Sequence, residues 1–369
     1  MSAINIGNIT NATFKVGGAD CSIYLGSVKL YPKDEPTPTY DFKLHYTTSG
    51  GTEVTINCDE SWSKPANSVL PTINLLEIGD CTTEIPTSGF TSKGGTTSKP
   101  HYYSLQICPK FTMSDSVTKI NNYGMHAFRY ATAYTPTLEE SILSKNITYI
   151  GQMGLTNWKF GDISFPNNFS GFSGSFSYIT ASTITIGKNA YLASNVFSNI
   201  SANTITIDDG FNNPTTNGLF SSVSANTINI GNGTLAARTD GCFVTNCVIQ
   251  NLNINSNFDT NYPLFANRGT IKNVTYGNDV TVIGGYAFSG RTELSSVVIG
   301  NSVTNIGSYA FANCSSLTSI IINATTPPTL GGNAFNGSTC QIYVPSENVN
   351  AYKTASGWST YASKIQPIS

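Results

Sequence analysis

Eight phenylalanines, Phe176, Phe197, Phe220, Phe243, Phe265, Phe288, Phe311 and Phe335, recur at intervals of 21, 23, 23, 22, 23, 23 and 24 residues. Chance does not hold such a period over eight turns. A chain that repeats on this scale stacks one small unit on the next instead of closing separate globular domains. The frame is clearest in Phe176-Ser-Tyr-Ile-Thr-Ala-Ser-Thr-Ile-Thr-Ile186, Phe197-Ser-Asn-Ile-Ser-Ala-Asn-Thr-Ile-Thr-Ile207 and Phe220-Ser-Ser-Val-Ser-Ala-Asn-Thr-Ile-Asn-Ile230. Each unit carries an aromatic residue, a β-branched residue three later, and an alternating strand eight to ten later.

Side chains alternate in an extended chain, so Ile184-Thr185-Ile186 sends two isoleucines to one face and the threonine to the other. Stacking the units predicts a buried ladder of Ile184, Ile205, Ile228, Leu252, Val274, Val297 and Ile320, with Ile186, Ile207, Ile230, Ile254, Tyr276, Ile299 and Ile322 beside it. The phenylalanines supply the opposite wall. One unit of this size cannot bury enough apolar surface to offset its chain entropy, so neighbouring coils must cover it.

Composition agrees with a β-rich particle. Charged residues are 11% of the chain, against about 25% in an ordinary soluble domain. A net charge of −2, with Lys and Arg never clustered, gives no basic face for a phosphate backbone, so nucleic acid is not an expected partner. The start Met-Ser-Ala-Ile-Asn-Ile-Gly-Asn lacks the charged and apolar regions of a secretory signal, and no run is long enough to span a bilayer; neither Sec export nor membrane insertion is expected. Eight scattered cysteines, Cys21, Cys58, Cys81, Cys108, Cys242, Cys247, Cys314 and Cys340, show no Cys-x-x-Cys pair and no zinc-finger spacing. They read as free, small, buried residues.

The later repeats lengthen to Phe288-x5-Leu294-x2-Val297-Val298-Ile299 and Phe311-Ala-Asn-Cys-Ser-Ser-Leu317-x2-Ile320-Ile321-Ile322, preceded by Ile283-Gly-Gly-Tyr-Ala-Phe288 and Ile306-Gly-Ser-Tyr-Ala-Phe311. This run resembles the BspA-like leucine-rich repeats, marked by Ile-Gly-x-x-Ala-Phe-x-x-Cys-x-x-Leu-x-x-Ile. The resemblance implies a leucine-rich-repeat solenoid. Upstream, Ile78-Gly-Asp-Cys-Thr-Thr-Glu-Ile85 followed by Phe90 sits in the frame of Ile299 to Phe311, so the array is expected to span residues 75–344. Leu105-Gln-Ile107, Ile147-Thr-Tyr149 and Ile163-Ser-Phe165 read as further strands, with Gly94 to Pro100 and Tyr130 to Leu143 as looped inserts. About twelve strands at roughly 4.8 Å each predict a rod of about 55 to 60 Å.

A solenoid needs its ends covered. Residues 345–369 are expected to cap one end with a short helix from Pro345-Ser346 to Gly357, Val349 and Tyr352 sharing a face, and Trp358, Tyr361 and Ile365 completing the plug. At the other end, Phe42-Lys-Leu-His-Tyr, the turn Ser49-Gly-Gly51 and Val54-Thr-Ile56 read as a capping β-hairpin within residues 42–74. Lys33-Asp-Glu-Pro-Thr-Pro-Thr opens a proline-rich linker, 33–41, that sets residues 1–32 apart. This small β module is too short for a core of its own and should order on a partner.

Ser22-Ile23-Tyr24-Leu25-Gly-Ser-Val28-Lys-Leu30-Tyr31-Pro32 resembles a short N-terminal motif of virion proteins from tailed phages of gut bacteria, including crAss-like phages. The resemblance implies an anchor on capsid or tail, with Ile23, Tyr24, Leu25, Val28, Leu30 and Tyr31 as anchoring residues. It further implies a head or tail fibre localised to the virion and assembled in the host cytoplasm, oligomeric on the particle, with other virion proteins as partners through residues 1–32. A secreted or surface bacterial BspA-like adhesin is the alternative.

Chemistry has little sequence support. The three histidines, His45, His101 and His126, lie in no nucleophile or metal motif, and His126 reads as part of a repeat turn. Asp208-Asp209 with Asp162 is the best acidic set; paired aspartates after a strand are turn residues far more often than catalysts. No catalytic residue, metal ligand or cofactor is expected. The ligand-face candidates are the outward residues Thr185, Thr206, Asn229, Asn253 and Thr275, which should stack into a row able to hydrogen-bond a host-surface glycan, or to serve as solubilising surface alone. The insert loops are the rival recognition surface. The expected function is a structural, non-enzymatic host-attachment protein whose host partner is a surface glycan or protein.

Overall fold

The structure, a computed structural model, describes residues 14–17, 22–25, 28–29, 42–47, 51, 53–58, 72–79, 82, 84–85, 109–126, 138–213, 218–235, 242–243, 245–257 and 269–368. Phe265, the strand expected at 105–107, the insert 94–100 and the linker 33–41 lie outside these residues, and so do His101, Leu30 and Tyr31.

One coil shows how the sequence bends. Thr180–Ile186 is a strand, Tyr191–Leu192 and Phe197–Ser198 are two-residue strands, and the next coil opens with Ser201–Ile207. The corners between them are turned by Asn189, Asn195 and Asn199, with φ of 58°, 49° and 54°. Asparagine tolerates this left-handed region because its short polar side chain bonds locally, which β-branched residues cannot do. Corresponding corners use Asn168 and Gly210, Gly174, and Tyr178 and Ser222, all at positive φ. Each coil therefore has three short sides.

Stacked coils turn these sides into parallel sheets. The longest has twelve strands and runs from Glu140–Ser141 to Ile365–Pro367. A second has seven, a third five, and the second side resumes as a three-stranded sheet through Val282–Ile283, Asn305–Ile306 and Thr329–Leu330. Register follows the alternation: Ile184 pairs with Ile205, Ile205 with Ile228, Ile228 with Leu252, Leu252 with Val274, Val274 with Val297, and Val297 with Ile320. Both predicted apolar ladders are buried. Their one-sided alternation fixes the pairing, since a one-residue slip would expose every isoleucine.

Facing these ladders, Phe176, Phe197, Phe220 and Phe243 stack with centroids 5.4, 5.1 and 4.9 Å apart and planes within 15°. Phe288, Phe311 and Phe335 form a second stack at 5.7 and 5.9 Å. Each ring is essentially inaccessible, and burying one contributes about 1.5–3 kcal/mol relative to leaving it in water.

The array starts differently. Phe42–Thr47 pairs antiparallel with Glu53–Cys58 and with Thr72–Ile78, and Thr72–Ile78 pairs parallel with Phe111–Met113. That one strand joins the hairpin to the first coil, and the bridge from Thr112 to Ile142 carries the ladder onward. The insert expected at 130–143 is corrected in part: Glu140–Ser141 is a strand on Lys159–Phe160, its Ser141 buried and its hydroxyl accepting the Phe111 N–H at 3.0 Å. His126, expected as surface or loop within a repeat turn, lies in the strand Met125–His126 of its coil, paired with Leu155–Thr156.

At the far end the helix is shorter than expected. Ser346–Asn348 is a 3₁₀ turn, Val349–Thr354 is α-helical, and Trp358–Lys364 is again 3₁₀. Ser346 makes no capping bond; its hydroxyl donates to Glu347 instead. The plug itself forms as expected: Tyr352 and Trp358 are fully buried, donating to the carbonyls of Ala324 at 2.8 Å and Pro328 at 2.7 Å. Ile365 then adds a final strand beside Ile342. Cys247, Cys314 and Cys340 carry free thiols and, like Cys242, are buried.

Candidate functional site

The five outward residues singled out from the alternation fall into one register. Thr185 is opposite Thr206, Thr206 opposite Asn229, Asn229 opposite Asn253, and Asn253 opposite Thr275. Three of the five, Thr206, Asn229 and Asn253, are wired along the axis. The Asn253 amide donates to Asn229 Oδ1 at 2.7 Å, and the Asn229 amide donates to Thr206 Oγ1 at 3.1 Å. Each amide spends one N–H on its neighbour and keeps another for a ligand, since an amide group carries two. The row is thus held in place before anything binds.

A second row, two residues earlier in each strand, runs beside it and was not singled out in the sequence. Thr183, Thr204, Thr227, Asn251, Asn273, Ser296 and Ser319 are in register. Asn273 donates to Asn251 Oδ1 and accepts from the Ser296 hydroxyl, both at 2.9 Å. The signal was available, because outward positions recur every two residues along a seven-residue strand.

Where the first row meets the corner, a shallow trough of about 270 Å³ opens, lined by Thr206, Asn229, Asn253 and Thr275 together with Asp209 and Asn255. Thr185 lies outside it. Asp209 is structurally engaged, with Oδ1 accepting the Asn232 N–H of the next coil at 2.8 Å. Asn167 and Asn278 do the same for Lys188 and Asn301 at 2.9 and 3.2 Å. Asp209 therefore belongs to a corner device repeated in other coils. Asp162 borders a different depression, of about 280 Å³, with Glu140 and Lys145, and accepts the Thr183 hydroxyl at 2.8 Å. The three aspartates do not line one pocket.

Other charged groups sit at the hairpin end. Burial alone would raise the Glu77 carboxyl, but hydrogen bonds from His45 and Lys43, at 2.9 and 3.2 Å, hold it below the usual range. Burial pushes the Cys247 and Cys314 thiols up to about 11, which leaves them poor nucleophiles at neutral pH. Among the described residues, no group of three or more His, Cys, Asp or Glu is placed to hold a metal, and no helix is long and apolar enough to cross a membrane. In the N-terminal module, Phe14–Gly17, Ser22–Leu25 and Val28–Lys29 form an antiparallel sheet that contains Ile23, Tyr24, Leu25 and Val28.

The repeat matches the family described as BspA type leucine-rich repeat region, in six copies, over residues 95–216, 173–290 and 260–356. The chain belongs to the BspA-type leucine-rich repeat family. Among solved structures, it is similar to a leucine-rich repeat protein from Bacteroides ovatus, 15% identical over 99% of this chain and 100% of that chain, with a TM-score of 0.26. No curated protein matches it.

Proposed function

We propose that this BspA-type solenoid is a non-enzymatic attachment protein, presenting the polar rows of its long sheet to a host-surface glycan. The observation that carries the reading is the pre-wired row Thr206, Asn229 and Asn253 along the trough. Amides and hydroxyls are donors and acceptors at once, which suits a ligand whose hydroxyls are the same. Fixing them before binding lowers the ordering cost of recognition.

The strands around Ile23 and Val28 serve in this reading as the anchor, joined to other virion proteins of a tailed phage, with several copies on the particle. The motif at Ser22–Pro32 favours that carrier; membership of the BspA-type family favours a bacterial surface adhesin. Mass spectrometry of purified phage particles distinguishes them: the virion reading expects this chain among the particle proteins, and its absence there would leave the adhesin. For the binding reading, the full chain applied to an array of gut-bacterial surface polysaccharides is expected to retain at least one. Failure to retain any would overturn the glycan assignment.

A further inference from the structure

On the second side of the coil, away from the polar rows, three aromatic rings from successive coils lie side by side on the outer surface. Tyr149 and Phe172 have centroids 5.1 Å apart, and Phe172 and Tyr191 5.5 Å. Tyr149 and Tyr191 flank Ser170 in the strand register, so the small serine leaves room for the Phe172 ring between them. All three are half-buried, unlike the phenylalanines of the core.

The rings are inclined to one another by 43° and 40°, and each residue is partly exposed. Lys119 caps the row, its Nζ 5.2 Å from the Tyr149 centroid and 3.4 Å from Glu84 Oε2. The row's own charges thus cancel, and its polar groups are tyrosine hydroxyls, the Ser170 hydroxyl and the Asn212 amide next in register after Tyr191.

We infer that Tyr149, Phe172 and Tyr191 form a stacking platform for the pyranose rings of a neutral glycan. Sugar C–H faces pack on aromatic faces, and the hydroxyls and amide beside them receive the sugar hydroxyls. The row is one ring wide, and most of each residue is already covered. That falls short of the roughly 1,200 Å² of total burial a specific protein interface needs. Cancelled charge complements a neutral ligand better than an acidic one. The platform is independent of the long-sheet trough and stands whether or not that trough binds.

Affinity electrophoresis of the full chain in gels carrying mixed-linkage β-glucan, xylan or polygalacturonate tests the inference. Wild type is expected to be retarded by a neutral polysaccharide. Tyr149→Ala with Tyr191→Ala should weaken that retardation on the order of tenfold or more. Tyr149→Phe and Tyr191→Phe keep the rings and should retain most of it, and an unchanged circular dichroism spectrum and melting temperature of the alanine pair separate a stacking defect from a folding defect. Asn229→Ala with Asn253→Ala, run in the same gels, reports the trough: retardation lost with that pair and kept with the tyrosine pair would assign the binding to the trough and overturn the platform. No retardation by either neutral polymer, retardation by polygalacturonate alone, or equal retardation of the double alanine variant would overturn the assignment.

Discussion

Replacing Phe197 by Ala tests how the coils hold one another. The ring is fully buried between Phe176 at 5.4 Å and Phe220 at 5.1 Å, nearly parallel to both. Truncating a buried phenylalanine costs about 3–5 kcal/mol, and removing its stacking on each neighbouring ring adds about 0.5–1.5 kcal/mol beyond area burial, so the upper part of the range, about 4–5 kcal/mol, is expected. Phe197→Leu keeps most of the apolar volume and should cost only about 1–2 kcal/mol. Because each coil touches only its neighbours, the destabilisation should be local. Hydrogen exchange followed by mass spectrometry reads this directly. Amides of the strands Thr180–Ile186, Ser201–Ile207 and Ser224–Ile230 should exchange about a thousandfold faster, at roughly 1.4 kcal/mol per factor of ten. Those of Ser319–Ile322 and Gln341–Val344 should hardly change. A uniform fall in protection along the chain, or a local change below about tenfold, would refute the stacked-coil energetics.

Gly231→Ala should destabilise by more than about 1 kcal/mol in urea melts, because an added Cβ would sit 2.7 Å from the backbone carbon of Asp208 and from Asp209 Oδ1. Tyr352→Phe keeps the packing of the plug but strands the buried Ala324 carbonyl, at a cost of about 1–3 kcal/mol in thermal denaturation. The Cys247 thiol is raised from 9.0 to about 11. The unfolded chain therefore releases its proton first, so this group's contribution is intact below pH 9 and is lost as pH rises towards 11. Urea midpoints should fall over that interval, and less so in Cys247→Ala.

The ladders were legible because period-two alternation with one apolar face permits one register only. The stacked phenylalanines were legible from their spacing. The second polar row was equally present in the sequence, and reading each strand over only three residues missed it. The insert ending at Leu143 misled because the short strand Glu140–Ser141 carries no alternation; it is held by long-range partners, Lys159–Phe160 and the Phe111 N–H. Two-residue strands such as Met125–His126 have no readable period for the same reason. The cap helix is short because Asn348 bonds back to the Pro345 carbonyl at 2.9 Å, setting a 3₁₀ turn. The row Tyr149, Phe172 and Tyr191 escaped notice because its members occupy two different positions of the coil, joined only by the fold.

The central functional claim is that the long-sheet row binds a surface glycan, and a binding isotherm on the best ligand from the polysaccharide array tests it most directly. Asn229→Ala with Asn253→Ala removes both amides of the wired row while leaving the buried ladders untouched. At about 0.5–1.5 kcal/mol per hydrogen bond, removing one bond to the glycan at each position predicts a fall in affinity of roughly 5- to 150-fold, with folding unchanged by circular dichroism. An isotherm indistinguishable from wild type would contradict the account, leaving the polar rows as solubilising surface.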